Sequence, residues 1–246
     1  MSNLDLFSGH ADLYAQFRID YPPELYDFIY SFVKEYHRAW DCATGNGQVA
    51  GVLAERFETV DGTDISAQQL EKAVRKPNII YLPCPAEQTP FPDRQFDLIT
   101  VAQALHWFDV DAFHQEVRRV ARPGAVIAEW GYGHNRVSET VDPVVMDFYL
   151  NTIGPYWDGQ RTHVEDHYAR LPFPFADAQR AEFSVRRSWT ADRFLNYLRT
   201  WSSVQKYIRQ HQSDPVLLIA DRLTALWGPE ERDVSFPVFL RIGSVR

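Results

Sequence analysis

From Pro22 onward, PPELYDFIYSFVKEY places Leu25, Phe28, Ile29, Phe32 and Val33 at i, i+3, i+4, i+7 and i+8. That spacing predicts one apolar helical face, opened by a proline of the kind helices accept in their first turn. RAWDCATGNGQ then reads as a short buried strand running into a glycine-containing turn, and Val49, Val52, Leu53 and Phe57 form the stripe of a second helix. The alternation continues with ETVDGTD as a strand, SAQQLEKAV as a helix and NIIYLPC as a strand. A proline-punctuated loop, AEQTPFPDRQ, leads to a fourth strand, DLITVAQ. Ser66 and Gln69 have capping-box spacing, which marks where that helix starts. DAFHQEVRRV carries Phe113, Val117 and Val120 on one face, closes at ARPG and gives way to a fifth strand, AVIAEWGY. Strands that alternate with helices through short loops imply parallel pairing with helices on both faces of the sheet.

Beyond about residue 134 the rhythm changes. VDPVVMDFYLNTI and ADRFLNYLRTWSSVQKYIRQ are helical patterns separated by one strand candidate, EFSVRRSW, and SFPVFLRIGSV reads as a last strand. The two late strands predict an antiparallel edge hairpin, and the helices around them a cover over a crevice. The expected class is α/β, an open seven-stranded sheet forming one domain over residues 1–246. Residues 1–36 would be an N-terminal helical lid, 37–133 the core, and 134–246 the helical cover with the edge strands.

Composition narrows the partners. A chain of 246 residues with 45% hydrophobic content can bury a full core, and a net charge of −8 is opposite to what a phosphate backbone requires. The basic pairs Arg118-Arg119 and Arg186-Arg187 are short and read as solvated faces, so nucleic acid is not an expected partner. Cys42 and Cys84 sit in or beside apolar runs and suggest no disulfide framework. The first residues lack a basic flank with an apolar core, and no run approaches 18 apolar residues, so a cytoplasmic protein without a membrane partner is expected. His163 and His167 have i, i+4 spacing, but without an evident third ligand no metal is expected.

The chemistry is concentrated in AWDCATGNGQVA: an acid at a strand end, small residues, Gly45 and Gly47, then a helix. Such a loop at the carboxyl edge of a first strand marks a nucleotide crevice. GNGQVA also satisfies the dinucleotide fingerprint G-x-G-x-x-G/A, so two cofactors compete. Charge separates them. A dinucleotide sets a pyrophosphate at the helix N-terminus, where a nearby carboxylate repels it. S-adenosylmethionine presents an ammonium instead, which Asp41, four residues before Gly45, is placed to attract. Asp64 follows Gly45 by 19 residues, near the interval of about 20 at which an acid takes a ribose diol, and serves either cofactor.

DCATGNGQ, VDGTDIS, AEQTPFPDRQFDLITVAQALHWFD and RRVARPG resemble successive motifs of class I S-adenosylmethionine-dependent methyltransferases. The type 11 group that includes trans-aconitate methyltransferase-like proteins is the nearest in pattern. The resemblance is strong over roughly residues 7 to 130, and AQALHWFD joined to YAQFRIDYP is its most specific part. It implies a Rossmann-like fold with S-adenosyl-L-methionine as cofactor. Asp41, Ala43, Gly45 and Gly47 would line the methionine end, Asp64 would hold the ribose and Ile65 would pack on the adenine. Ala86 and Glu87 would meet the adenine edge, the former through its backbone amide, and Gln103 would lie beside the donor. Tyr14 and Arg18 would close over the cofactor. The chain departs from the usual pattern at Ala43, where many such enzymes have glycine, and at Pro85, where many have aspartate; Glu87 would take over the latter's role.

The implied activity is methyl transfer to a small-molecule acceptor such as a carboxylic acid. His106 is the candidate general base, with a structural histidine as the alternative. Trp107 and Tyr14 are candidates for cation–π contact with the sulfonium. An aromatic-rich late segment, with Arg161, His134 or Arg199 as polar anchors, is the candidate acceptor pocket. Two other readings stay open at this level: an NAD(P)-dependent oxidoreductase using the same glycine loop, and a regulatory protein that binds the cofactor without turnover. Oligomeric state is not legible.

Overall fold

The computed structural model describes residues 19–246. Its first helix, α1 (Pro23–Tyr30), begins at the proline and buries Leu25, Tyr26, Ile29 and Tyr30. Five strands then alternate with helices. They are β1 (Arg38–Cys42), α2 (Gln48–Leu53), β2 (Thr59–Asp64), α3 (Ala67–Glu71), β3 (Ile79–Pro83), β4 (Phe96–Ala102), α4 (Val110–Val120) and β5 (Ala121–Tyr132). The Ser66 hydroxyl caps α3 by accepting from the Gln69 amide at 3.3 Å. Asp109 caps α4 through the Ala112 amide, and Phe113, Val117 and Val120 form its buried face.

All strands lie in one seven-stranded sheet ordered β3-β2-β1-β4-β5-β7-β6. β1 pairs in parallel with both β2 and β4, so the strand order reverses between β1 and β4 and opens a crevice at their carboxyl ends. β1 and β4 are covered on both faces, which explains why they read as continuous apolar runs. Along β1 successive side chains serve opposite cores: Ala39 joins the one under α1, α2 and the C-terminal helices. Trp40 joins the one formed with Phe96, Phe113 and Val117.

Two details of the sheet go beyond what the sequence pattern predicted. ARPG, expected to close the helix ahead of the fifth strand, already belongs to β5: Phe96 pairs with Ala121 before the register shifts ahead of Leu98 and Val126. The hairpin of β6 (Ala176–Trp189) and β7 (Arg232–Ser244) is antiparallel as expected, but its last strand is interior. β7 inserts between β5 and β6, because its alternate residues are apolar on both faces, whereas β6 is exposed along most of its length. Charges such as Arg180, Glu182 and Arg186 on β6 suit an open edge.

The cover has two parts. Between β5 and β6 run α5 (Asp142–Asp147), a wide turn at Phe148–Thr152, a tight turn at Gly154–Tyr156 and α6 (Arg161–Glu165). Between β6 and β7 run α7 (Ala191–Arg199), α8 (Ser202–His211) and α9 (Leu217–Trp227). Among the described residues no helix is long and apolar enough to cross a membrane.

Candidate cofactor and acceptor site

The loop between β1 and α2 is drawn tight by its own backbone: Thr44 N donates to Thr63 O at 2.8 Å and Gly47 N to Thr44 O at 2.9 Å. Ala43, Gly45 and Gly47 all have left-handed backbone, with φ of 53°, 56° and 76°. Ala43 thus adopts the conformation for which related patterns use glycine, at a cost of roughly 1–2 kcal/mol. A Cβ on Gly47 would lie 2.1 Å from the Tyr81 hydroxyl, whereas a Cβ on Gly45 would meet nothing within 4 Å. Gly47 is demanded by packing against β3; Gly45 leaves bare backbone open, where a ligand can approach.

Asp41 ends β1 beneath that loop and is 1% exposed. One carboxylate oxygen accepts from the Thr44 hydroxyl at 2.5 Å and the Ala50 amide at 3.1 Å, and the other from the Thr100 hydroxyl at 2.9 Å. Burial pushes its pKa up to about 6, against the pull of those three donors and with a small further push from Asp64. At neutral pH it is an anion sealed under the loop, so its charge acts on the crevice through space while its oxygens bind loop, helix and β4 together. Asp64, half-buried at the end of β2, accepts from Gly45 N at 2.9 Å and Ser66 N at 2.8 Å. Burial raises its pKa as well. Each of its oxygens keeps acceptor capacity for a diol.

Beside it Ile65 is 49% exposed, a large apolar side chain left facing outward next to the loop. Ala86 is buried past the end of β3, and Glu87 accepts from the Asp109 amide at 3.1 Å, which ties it to the start of α4. In their chemistry these residues fit an adenosyl amino acid: open backbone at Gly45, a carboxylate able to bind a diol, and an exposed apolar side chain able to cover a base. Tyr14 and Arg18 lie outside the described residues.

Gln103 follows β4 in left-handed backbone and spends its side chain on β5. Its oxygen accepts from Tyr132 N at 2.8 Å and its nitrogen donates to Tyr132 O at 3.4 Å, adding one rung to the ladder. His106 and Trp107 come next, on the tight turn Leu105–Trp107. The buried His106 ring has its pKa lowered to about 3, first by desolvation and then by Arg161 and His163. It is neutral at physiological pH, and its Nδ1 lies 3.4 Å from the Tyr168 hydroxyl.

Gln103, His106 and Trp107 form one wall of a cavity of about 540 Å³, mouth included. Tyr132, Trp157, Tyr197 and Trp201 supply aromatic walls, and Asp158, Arg161 and Ser202 polar ones. Arg161 stacks its guanidinium over Trp157 at 5.0 Å and directs Nε to the Tyr149 hydroxyl at 3.4 Å. Asp158 is paired with Lys206. Of the three anchors expected from sequence, only Arg161 lines the cavity. Arg199 is held by Asp214 at 2.7 Å, and His134 packs edge-on against Tyr149 at 4.4 Å. His167 of the HVEDH pair stacks on Phe239.

Sequence reasoning passed over Tyr81, Asp158 and Ser202. Tyr81 was one more apolar residue of a strand, and only the register Gly62↔Tyr81 brings it against the loop. Asp158 and Ser202 come from separate parts of the cover, and no local motif announces either.

Residues 40–128 match a family of methyltransferase domains, the type 11 group. A Dictyostelium discoideum protein described as a methyltransferase is 31% identical over 245 residues, covering 96% of this chain and 93% of its own. A solved structure from Anaeromyxobacter dehalogenans, described as a type II methyltransferase, is 40% identical with a TM-score of 0.84, over 93% of this chain and 98% of that one. More distantly, a Haemonchus contortus phosphoethanolamine N-methyltransferase bound to S-adenosylhomocysteine shares the fold at 18% identity and a TM-score of 0.54. That match covers all of this chain and 60% of the other. With the glycine loop, the acid that ends β2 and this similarity along nearly its whole length, the chain belongs to the class I S-adenosylmethionine-dependent methyltransferases.

Proposed function

We propose that the enzyme methylates a small organic anion, such as a carboxylic acid, held in the aromatic cavity beside the cofactor crevice. The observation that carries this reading is Arg161, which lines the cavity and whose terminal nitrogens meet no carboxylate among the described residues. A guanidinium free to make a forked contact selects planar anions such as carboxylates. Asp41, Ala43, Gly45 and Gly47 would hold the methionine end of S-adenosylmethionine, Asp64 the ribose, and Ile65, Ala86 and Glu87 the adenine, with Gln103 between donor and acceptor. When bound, that cofactor supplies an electrophilic methyl group on a sulfonium.

The chain's own contribution is alignment and dryness. Trp107, Trp157 and Trp201 exclude water from the acceptor, and Arg161 fixes its orientation, which can provide much of the acceleration for a displacement that disperses charge. A carboxylate acceptor needs no proton removed. This agrees with His106, whose depressed pKa makes it a weak base.

The test is a labelled-methyl screen against carboxylic acids, amines, thiols and phenols, run beside calorimetry with S-adenosylhomocysteine. The expected product is a base-labile methyl ester. Cofactor binding with transfer only to amines or thiols would overturn the acceptor class, and cofactor binding without transfer to any acceptor in the panel would favour a regulatory protein.

A further inference from the structure

Behind the cavity lies a buried ionic group that the proposed chemistry does not use. Glu129 on β5 bonds His114 of α4 at 2.7 Å through one oxygen and Arg241 of β7 at 2.5 Å through the other. All three residues are 2% exposed or less. Taking such charges out of water costs several kcal/mol per ion unless every donor finds a partner. Arg241 finds its remaining partners in one short turn: Nη1 donates to the carbonyls of Tyr168 and Leu171 at 3.0 and 2.9 Å, and Nη2 to that of Pro172 at 3.0 Å. The guanidinium also lies over the Phe173 ring at 4.9 Å.

The clamp immobilises Tyr168. Its amide bonds His163 O at 2.7 Å, its ring meets Phe239 edge-on at 5.0 Å, and its side chain is fully buried. The hydroxyl is thereby delivered to Nδ1 of His106. Between a phenol and a neutral imidazole, the bare ring nitrogen is the better acceptor and the phenol the better donor.

We infer that Tyr168, clamped by Arg241 and Glu129, is a positioning residue that fixes His106 as its Nε2–H tautomer, so that His106 meets the methyl acceptor as a hydrogen-bond donor. The inference rests on the reading of the cavity as the acceptor site, and it changes the role expected of His106 from base to donor. A donor there complements Arg161, since both address an anion. The charged and titratable groups around the ring are Arg161 and His163 from α6, Tyr168 with Arg241 and Glu129 behind it, and Asp158 with Lys206 across the cavity. The nearest are cationic or neutral, and they oppose protonation.

The test is spectroscopic and independent of turnover. In the ¹⁵N-labelled full chain, long-range proton–nitrogen correlations distinguish bare, protonated and hydrogen-bonded ring nitrogens, and His106→Gln identifies the signals by their loss. The expected wild-type pattern is a protonated Nε2 and a hydrogen-bonded bare Nδ1, unchanged between pH 8 and pH 5. Tyr168→Phe, which removes only the hydroxyl, should move the Nδ1 resonance toward that of an unbonded nitrogen. A wild-type Nδ1–H tautomer, titration of the ring within that pH range, or an unmoved resonance in Tyr168→Phe overturns the inference. If Tyr168→Phe does not fold, the wild-type pattern decides alone. The methyl-transfer screen can fail without affecting any of these signals, so the two readings fall separately.

Discussion

The Asp64 carboxylate accepts a hydrogen bond from the Gly45 amide at 2.9 Å, across 19 residues of sequence. The acid that ends β2 therefore shapes the loop that follows β1, and the two form one mechanical unit. A change at either residue should be felt at the other.

Replacing Asp64 by Asn tests that coupling. The substitution keeps one carbonyl acceptor but removes the charge and one of the two oxygens that face donors. Affinity for S-adenosylhomocysteine should fall roughly ten- to a hundredfold by calorimetry, the worth of a hydrogen bond to a charged group. Unchanged affinity would remove Asp64 from the cofactor site.

Asp41 makes a prediction with a definite sign. Its pKa stands at about 6 in the folded chain against 3.8 for the free side chain. The folded state thus holds a proton more readily than the unfolded state, and this contribution to stability is complete below pH ~4 and lost as pH rises through about 6. Above that pH the buried charge costs about 3 kcal/mol. Asp41→Asn should melt higher than wild type at pH 8, with the gap shrinking toward pH 5, while binding the cofactor more weakly. A gap independent of pH would refute the assignment.

The two loop glycines should separate stability from binding. Gly47→Ala drives a Cβ into the Tyr81 hydroxyl at a left-handed position, and should lower denaturant stability by more than the roughly 1–2 kcal/mol of the backbone alone. Gly45→Ala carries only that backbone cost, because its Cβ enters open space, but it should weaken S-adenosylhomocysteine by a larger factor than it costs in folding. Equal stability loss in both variants would contradict the packing described.

Arg161→Gln should raise KM for an anionic acceptor roughly tenfold or more and leave cofactor affinity unchanged, with partial rescue by Arg161→Lys, which restores charge but not the fork. Steady-state kinetics with labelled methyl donor reads both. A change in kcat alone would place Arg161 away from acceptor binding.

Removing one partner of the buried clamp has a stability signature of its own. Arg241→Met leaves Glu129 without its main countercharge inside the sheet, and should cost on the order of 3–5 kcal/mol in urea unfolding. A loss near zero would mean that the clamp has little to hold.

Much of this protein is set by local pattern. Apolar periodicity defined α1, β1 to β5 and α4 because both faces of the central strands and one face of each helix are buried, and that burial is written as a repeat within each segment. The glycine loop, Asp41 and Asp64 were legible for the same reason: a tight turn, an acid at a strand end and a fixed interval are written consecutively. The tertiary structure decided what each of these side chains touches. It sealed Asp41 beneath the loop, turned Gln103 toward β5, paired Arg199 with Asp214 and left Arg161 lining the cavity. It placed β7 inside the sheet and so carried Arg241 to Glu129 and the Tyr168 turn. These contacts join residues as much as 112 positions apart, and their choice depends on competition among all partners for the same buried donors and acceptors. No window of sequence contains that competition.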